Sequence, residues 1–127
     1  MGNIVKNVKI LLVDDNEASL SFTELMLKDE YEVIPVLSGK DALELLNNGL
    51  VPDLILLDIA MPEMDGWKVF FLMKAIRFLQ DTPIAFFTSL NQPDNIKHAQ
   101  EIGAVDYILK PCNKTNLLGR VKDIIRR

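Results

Sequence analysis

The sequence is short of the residues on which several classes of protein depend, and each shortage excludes one class. It contains one cysteine, Cys112, and one histidine in 127 residues. A single cysteine excludes an internal disulfide, and with a single histidine it also argues against a structural zinc site. No apolar run approaches the roughly 20 residues that a membrane-spanning helix requires.

Positive charge is also scarce. Fourteen Lys and Arg residues stand against 18 Asp and Glu residues, which gives a net charge of −4. Because proteins hold nucleic acids through clustered basic side chains, we expect no direct contact with nucleic acid. No basic and then apolar leader is recognised, so we expect a cytoplasmic protein that does not contact a membrane.

The chain has ample material for a core, since 49% of its residues are hydrophobic. We expect one domain over residues 1–127, with about residues 1–8 as a leading segment. Apolar runs predict strands at residues 9–13, 32–36, 53–57, 84–88 and 107–109. Helical spacing and capping residues predict helices at 17–28, 39–47, 67–79, 93–102 and 115–126. Five alternations of strand and helix predict a doubly wound α/β fold with a parallel sheet.

Apolar spacing also predicts which helix faces pack on the sheet. The expected inward residues are Ala18, Phe22, Leu25 and Met26 in the first helix, Ala42, Leu45 and Leu46 in the second, Val69, Met73 and Ile76 in the third, and Leu117, Leu118, Val121 and Ile125 in the last.

Three aromatic residues of the third helix, Trp67, Phe71 and Phe78, follow at spacings of four and seven and are predicted on its outer face. Exposed aromatic area is typical of an interface, so we expect self-association or a partner there. The alternative is that Trp67 folds back over the turn at Gly66, that Phe78 lies in a frayed final turn, and that Phe71 is an isolated exposed residue.

The stretch 54–66 organises the chain. Four apolar residues, Leu54-Ile55-Leu56-Leu57, run directly into Asp58, and a turn containing Pro62 and Gly66 follows. A strand that is apolar on both faces is typical of a parallel sheet covered by helices. Such sheets bind ligands at the carboxyl ends of their strands, which makes Asp58 the candidate functional residue.

Polar residues follow three other predicted strands in the same way: Asp14-Asp15 the first, Thr88-Ser89 the fourth and Lys110-Pro111 the fifth. Together with Asp58 and Met64-Asp65-Gly66, these residues resemble the motifs of two-component response-regulator receiver domains, chemotaxis regulators among them. The resemblance implies a flavodoxin-like three-layer sandwich with strand order 2-1-3-4-5. That order brings the polar residues to one edge of the sheet.

Electrostatics then predicts a metal at this edge. Two carboxylates about 4 Å apart repel by roughly 4 kcal/mol at an effective dielectric of about 20, and three are present. Hard oxygen ligands favour Mg²⁺. Taken alone, Asp14 and Asp15 would be a solvated turn, Lys110 a surface lysine and Thr88 a strand residue; their shared edge favours the site.

The resemblance further implies a role for each residue. Asp15 and Asp58 would ligate Mg²⁺ directly, Asp14 through water, and Ala60 through its backbone carbonyl. Asp58 would accept a phosphoryl group from a phosphohistidine of a sensor histidine kinase or phosphotransfer protein, with Lys110 balancing charge. Thr88 and Tyr107 would then switch the surface offered to an effector domain or protein. The Lys110-Pro111 bond is cis in the family.

Two other functions fit the sequence less well. Phosphohydrolases of the haloacid dehalogenase type also form an aspartyl phosphate, but they place an acid two residues after the nucleophile, where this chain has Ala60. A flavodoxin-like binding module would need hydroxyls and amides after the first strand, whereas the acidic run 14–17 would repel a phosphate. A receiver domain degenerated to a scaffold is excluded because every acidic pocket residue is present.

Overall fold

The computed structural model describes residues 7–127, so most of the predicted leading segment, residues 1–8, lies outside the described residues. The strands are β1 Lys9–Val13, β2 Glu32–Val36, β3 Leu54–Leu57, β4 Ile84–Thr88 and β5 Asp106–Leu109. The α-helices are α1 Glu17–Leu27, α2 Gly39–Asn47, α3 Gly66–Lys74, α4 Pro93–Ile102 and α5 Lys114–Arg126, and a 3-10 helix spans Arg77–Leu79. Among these residues, no helix combines the length and the apolar character needed to cross a bilayer.

All five strands are parallel and lie in the order β2-β1-β3-β4-β5, which confirms the predicted fold. Side chains of β3 alternate between two cores, and all four are fully buried. One core, on the Ile55 and Leu57 side, packs against α2, α3 and α4. The other, on the Leu54 and Leu56 side, packs against α1 and α5. The three layers therefore leave the carboxyl ends of the strands open.

Side-chain caps fix the helices that start at this carboxyl edge. The Asn16 side chain accepts a hydrogen bond from the Ser19 backbone N–H at 2.9 Å, and the Asp65 side chain accepts one from Lys68 at 3.0 Å. Such a cap is worth about 1 kcal/mol. The caps hold the loops that follow β1 and β3, which carry the candidate site.

The predicted inner face of α1 is mostly wrong. Phe22 and Leu25 are 62% and 56% exposed, Ala18 is also exposed, and the buried residues are Leu20, Thr23, Met26 and Leu27. Thr23 is tolerated in the core because its hydroxyl donates to the Ser19 carbonyl at 2.9 Å. A prediction based only on the spacing of apolar residues therefore chose the wrong face of α1 as the buried one.

The faces of α2 and α5 needed smaller corrections. Ala42 and Leu46 are buried as predicted, but Leu45 is exposed. In α5, Leu117 and Val121 are buried as predicted and Leu118 is half-buried. The third core position of α5 is Ile124, whereas Ile125 is only half-buried.

The third helix does not run to residue 79. It ends at Lys74, Ile76 is extended (ψ 115°), and the 3-10 helix follows. Val69 and Met73 are buried as predicted. In a continuous helix, at 100° per residue, Leu79 would point about 120° away from Met73 and so off the buried face. The break instead buries Leu79 and leaves Phe78 exposed.

Trp67 does not belong to an outward aromatic stripe. Its ring lies 4.8 Å from that of Phe86 and 4.7 Å from that of His98, between centroids, so it bridges α3, β4 and α4. Phe71, 72% exposed, and Phe78 do face outward. The three-residue stripe predicted from spacing is therefore wrong at Trp67, which packs inward as an aromatic residue with large apolar area prefers.

Candidate functional site

The site lies where β1, β3 and β5 end, because parallel strands bring their carboxyl ends to one edge. Asp14 and Asp58 follow β1 and β3 and are only 3% and 8% exposed. Lys110 follows β5, and its ammonium donates to Asp14 Oδ2 at 2.5 Å and to Asp58 Oδ2 at 3.2 Å. Asp15 is exposed to solvent beside them. The structure thus brings together the three predicted acids, Asp14, Asp15 and Asp58, and the predicted Lys110 ammonium.

The pocket keeps Asp14 ionised. Burial alone would raise the pKa of Asp14. Hydrogen bonds from Lys110, the Ser19 hydroxyl and the Asn16 backbone N–H, together with the charge of Lys110, outweigh burial and hold that pKa below its ordinary value. The acid is therefore a carboxylate at neutral pH despite its depth.

The carboxylates suit a divalent cation. One oxygen from each of Asp14, Asp15 and Asp58 lies within 4.8 Å of the other two. Three carboxylates and the Lys110 ammonium carry a net charge of −2, which a divalent ion neutralises. All donors are hard oxygens and one acid faces solvent, as suits Mg²⁺, which keeps several of its waters. The residues present therefore fit Mg²⁺.

Asp58 is held by its own loop as well as by Lys110. Its Oδ1 accepts hydrogen bonds from the backbone N–H groups of Ile59 at 2.7 Å and Ala60 at 3.3 Å. Its own backbone N–H donates to the Val13 carbonyl at 3.0 Å. The Ile59 and Ala60 N–H groups and the Lys110 ammonium place positive charge around the carboxylate, which would equally stabilise an anionic group built on it.

Gly66 lets this loop close. A Cβ at Gly66 would lie 2.2 Å from the Asp58 carbonyl oxygen and 2.6 Å from the Ile59 Cα. The Gly66 N–H also donates to the Ile59 carbonyl at 2.9 Å. Its role is thus close backbone approach as well as turning, which the sequence pattern alone did not show.

Thr88 and Tyr107 lie at the same edge of the sheet, but their hydroxyls bond to the Leu90 backbone and not to the carboxylates. Thr88 is fully buried, and its hydroxyl accepts a hydrogen bond from the Leu90 N–H at 3.4 Å. The Tyr107 hydroxyl donates to the Leu90 carbonyl at 2.7 Å. Burial, and secondarily the charge of Asp58, raises the pKa of Tyr107, which keeps its hydroxyl protonated. Both predicted switch residues therefore meet at Leu90.

The last predicted feature, the bond between Lys110 and Pro111, is cis. The Lys110 backbone N–H donates to the Thr88 carbonyl at 2.9 Å. This hydrogen bond joins the ends of β4 and β5, so Thr88 and Lys110 are held next to each other.

Sequence reasoning missed Ser19. Its hydroxyl accepts a third hydrogen bond from the Lys110 ammonium, at 2.9 Å. The available signal was its position in the first turn of α1, three residues after the Asn16 cap, at the edge where the acids lie. It was missed because it occupies no strand end.

The family model for the response regulator receiver domain matches residues 10–122. The chain belongs to this family. Receiver domains are regulatory phosphoacceptor domains of two-component systems, and histidine kinases phosphorylate them. The match covers every element that contributes to the site.

Individual relatives agree with this membership. The receiver domain is 38% identical over 112 residues to a probable cyclic di-GMP phosphodiesterase of Vibrio cholerae, covering 88% of this chain and 25% of that protein. It is 37% identical over 120 residues to the transcriptional regulatory protein CpxR of Escherichia coli, covering 94% and 50%. The chain thus spans half or less of these curated relatives.

Among solved structures, the chemotaxis protein CheY4 of Vibrio cholerae superimposes with a TM-score of 0.86 at 27% identity. The superposition covers 92% of this chain and 98% of that one. The likeness to chemotaxis regulators expected from the motifs is therefore confirmed at the level of the fold.

Proposed function

We propose that this receiver domain is a Mg²⁺-dependent switch in which Asp58 accepts a phosphoryl group from a phosphohistidine. The donor is a sensor histidine kinase or a phosphotransfer protein. The observation that carries the proposal is the setting of Asp58, a buried carboxylate that contacts the Lys110 ammonium at 3.2 Å within a cluster of three acids. A nucleophile, a fixed cation and a cation-binding acid set are the parts that phosphoryl transfer needs.

In the transfer step, an Asp58 carboxylate oxygen forms a bond to phosphorus as the phosphorus–nitrogen bond of the donor histidine breaks. The electron pair of that bond returns to the imidazole nitrogen. The Lys110 ammonium and the Ala60 N–H, now bound to Asp58, are placed to donate to phosphoryl oxygens. The chain therefore positions the group and balances its charge.

Asp14, Asp15, Asp58 and the Ala60 backbone carbonyl would hold Mg²⁺. Once bound, the ion supplies positive charge to the phosphoryl oxygens as their charge develops. Asp14 suits an indirect role through water because it is buried and already bonded to Lys110.

We further propose that Thr88 and Tyr107 transmit the change to an effector domain or protein. Support comes from Leu90, whose N–H bonds to Thr88 and whose carbonyl bonds to Tyr107. A Thr88 hydroxyl drawn toward a new phosphoryl group would release the Leu90 N–H and so disturb the Tyr107 contact. The phosphoryl mimic beryllofluoride with Mg²⁺ should then shift amide NMR signals from residue 88 to residue 107. Shifts restricted to the neighbours of Asp58 would contradict the coupling.

The phosphoacceptor is tested by intact mass. Incubation with Mg²⁺ and acetyl phosphate should add one phosphate to the wild type and none to Asp58→Asn. Asp53→Asn is the matched control, because Asp53 is an exposed acid beside the other end of β3, where its side chain accepts a hydrogen bond from the Lys9 backbone N–H. A phosphate that persists in Asp58→Asn would show that another residue is the acceptor.

A further inference from the structure

The Lys110 ammonium has three N–H bonds and three acceptors. These are Asp14 Oδ2 at 2.5 Å, Ser19 Oγ at 2.9 Å and Asp58 Oδ2 at 3.2 Å. The side chain is only 17% exposed and its ammonium also lies 5.2 Å from the centroid of the Phe87 ring. Each proton of the ammonium can thus be assigned to one acceptor, and Ser19 is the only one of the three that is uncharged.

Ser19 differs from the two acids in its support as well. Its backbone N–H donates to the Asn16 side chain and its carbonyl accepts from the Thr23 hydroxyl, both at 2.9 Å. The hydroxyl is therefore carried by a capped first turn of α1. Its hydrogen bond to Asp14 links it to the acid as well as to the lysine.

We propose that Ser19 is a positioning residue for phosphotransfer, which holds the Lys110 ammonium in the orientation that meets the phosphoryl group on Asp58. The inference rests on the proposed function of Asp58. A neutral acceptor fixes the third N–H without competing with Asp58 for charge. Without it, the ammonium keeps one strong contact with Asp14 and one longer contact with Asp58, and it is free to turn toward the stronger acceptor.

The test compares three variants on one helix. Ser19→Ala removes the hydroxyl, Ser19→Thr keeps it, and Ser21→Ala makes the same chemical change at an exposed position two residues away. A cavity of about 240 Å³ beside Ser19 and Thr23 leaves room for the threonine methyl. Alanine is a better helix former than serine, but Ser19→Ala also loses the bond between the hydroxyl and Lys110. The unfolding temperature of each variant is therefore measured, and rates are compared at a temperature at which every variant is folded.

Two measurements are made on each variant of the full chain. In saturating Mg²⁺, the rate of phosphorylation is followed by intact mass against the concentration of acetyl phosphate. Ser19→Ala should lower the maximal rate about tenfold, the usual effect of a lost bond to a charged group, and leave the half-saturating concentration unchanged. Ser19→Thr should restore the rate, and Ser21→Ala should match the wild type.

The second measurement is the NMR signal of the Lys110 ammonium, recorded without Mg²⁺ or phosphate donor. The signal should be present in the wild type and in Ser19→Thr and broadened by solvent exchange in Ser19→Ala. A wild-type maximal rate in Ser19→Ala, or a loss that Ser19→Thr does not rescue, would overturn the inference. If the wild type itself acquires no phosphate on Asp58, the proposed function fails, whereas an unchanged ammonium signal in Ser19→Ala refutes the role of Ser19 independently.

Discussion

Gly66→Ala should impair the site from a position that carries no functional side chain. The new Cβ would lie 2.2 Å from the Asp58 carbonyl oxygen, and real Cβ contacts are essentially never under 3.0 Å. The loop that carries Asp58 must therefore retreat by about 0.8 Å or more. A displacement of about 1 Å in a reacting group can lower a rate about a hundredfold.

The stability change combines two opposing effects. Alanine favours the helix by about 1 kcal/mol over glycine, whereas forcing an extra carbon into a packed site costs about 1–3 kcal/mol. Because the opposing atoms belong to the backbone of Asp58 and Ile59 and not to a flexible side chain, we expect a net loss of about 1–2 kcal/mol.

The assay pairs phosphorylation by acetyl phosphate with urea unfolding. Gly119→Ala in α5 is the matched control, since a Cβ there meets no atom within 4 Å. It should gain about 0.5–1 kcal/mol and react at the wild-type rate. A Gly66→Ala variant that is as stable as Gly119→Ala and phosphorylated as fast as the wild type would refute the argument that close backbone approach positions Asp58.

Two further changes test other parts of the molecule. Asp106 accepts hydrogen bonds from Arg120 at 2.6 and 2.8 Å. Burial alone would raise the pKa of Asp106. The Arg120 bonds, the bond from the Tyr107 N–H and the charges of Arg120 and Arg127 outweigh burial and hold that pKa below its ordinary value. The resulting stability is complete above the unfolded pKa of about 3.9 and is lost as the pH falls through the lowered folded pKa. In urea unfolding, Asp106→Asn should therefore be less stable than the wild type at pH 7, and the difference should shrink as the pH falls below about 3.9. An unchanged difference across that range would exclude the linkage. Replacing the exposed Phe71 with Lys and Phe78 with Gln should lower the apparent mass in light scattering and leave phosphorylation intact; a wild type that is monomeric at every concentration would contradict self-association through these residues.

The sheet and the site could be predicted because their signals are local. Each apolar run that ends in a polar residue marks a strand end, and a parallel sheet collects those ends at one edge. Asp14, Asp58 and Lys110 therefore lie together, as the sequence predicted. They do so although Asp58 comes 44 positions after Asp14 in the chain and Lys110 comes 52 positions after Asp58. The order of the strands came from the family resemblance, since periodicity carries no information about it.

Most of what could not be predicted depends on tertiary contacts, and one helix face depends on a side-chain bond within the helix. Thr23, for which no burial was predicted, lies in the core, and Phe22, which was predicted to be inward, is exposed. The Thr23 hydroxyl can be buried because it donates to the Ser19 carbonyl, whereas the apolar pattern treats threonine as polar. The break at Ile76 is explained by the burial of Leu79, and the inward turn of Trp67 by rings contributed from β4 and α4. None of these partners is adjacent in sequence to the residue that it moves.

The junction at Leu90 has a consequence for variation at that position. Both hydrogen bonds there use the main chain, the N–H toward Thr88 and the carbonyl toward Tyr107, and neither uses the leucine side chain. The half-buried side chain can therefore be exchanged for many others without changing either bond. Proline is the exception, because it lacks the N–H and would cut the connection on the Thr88 side alone.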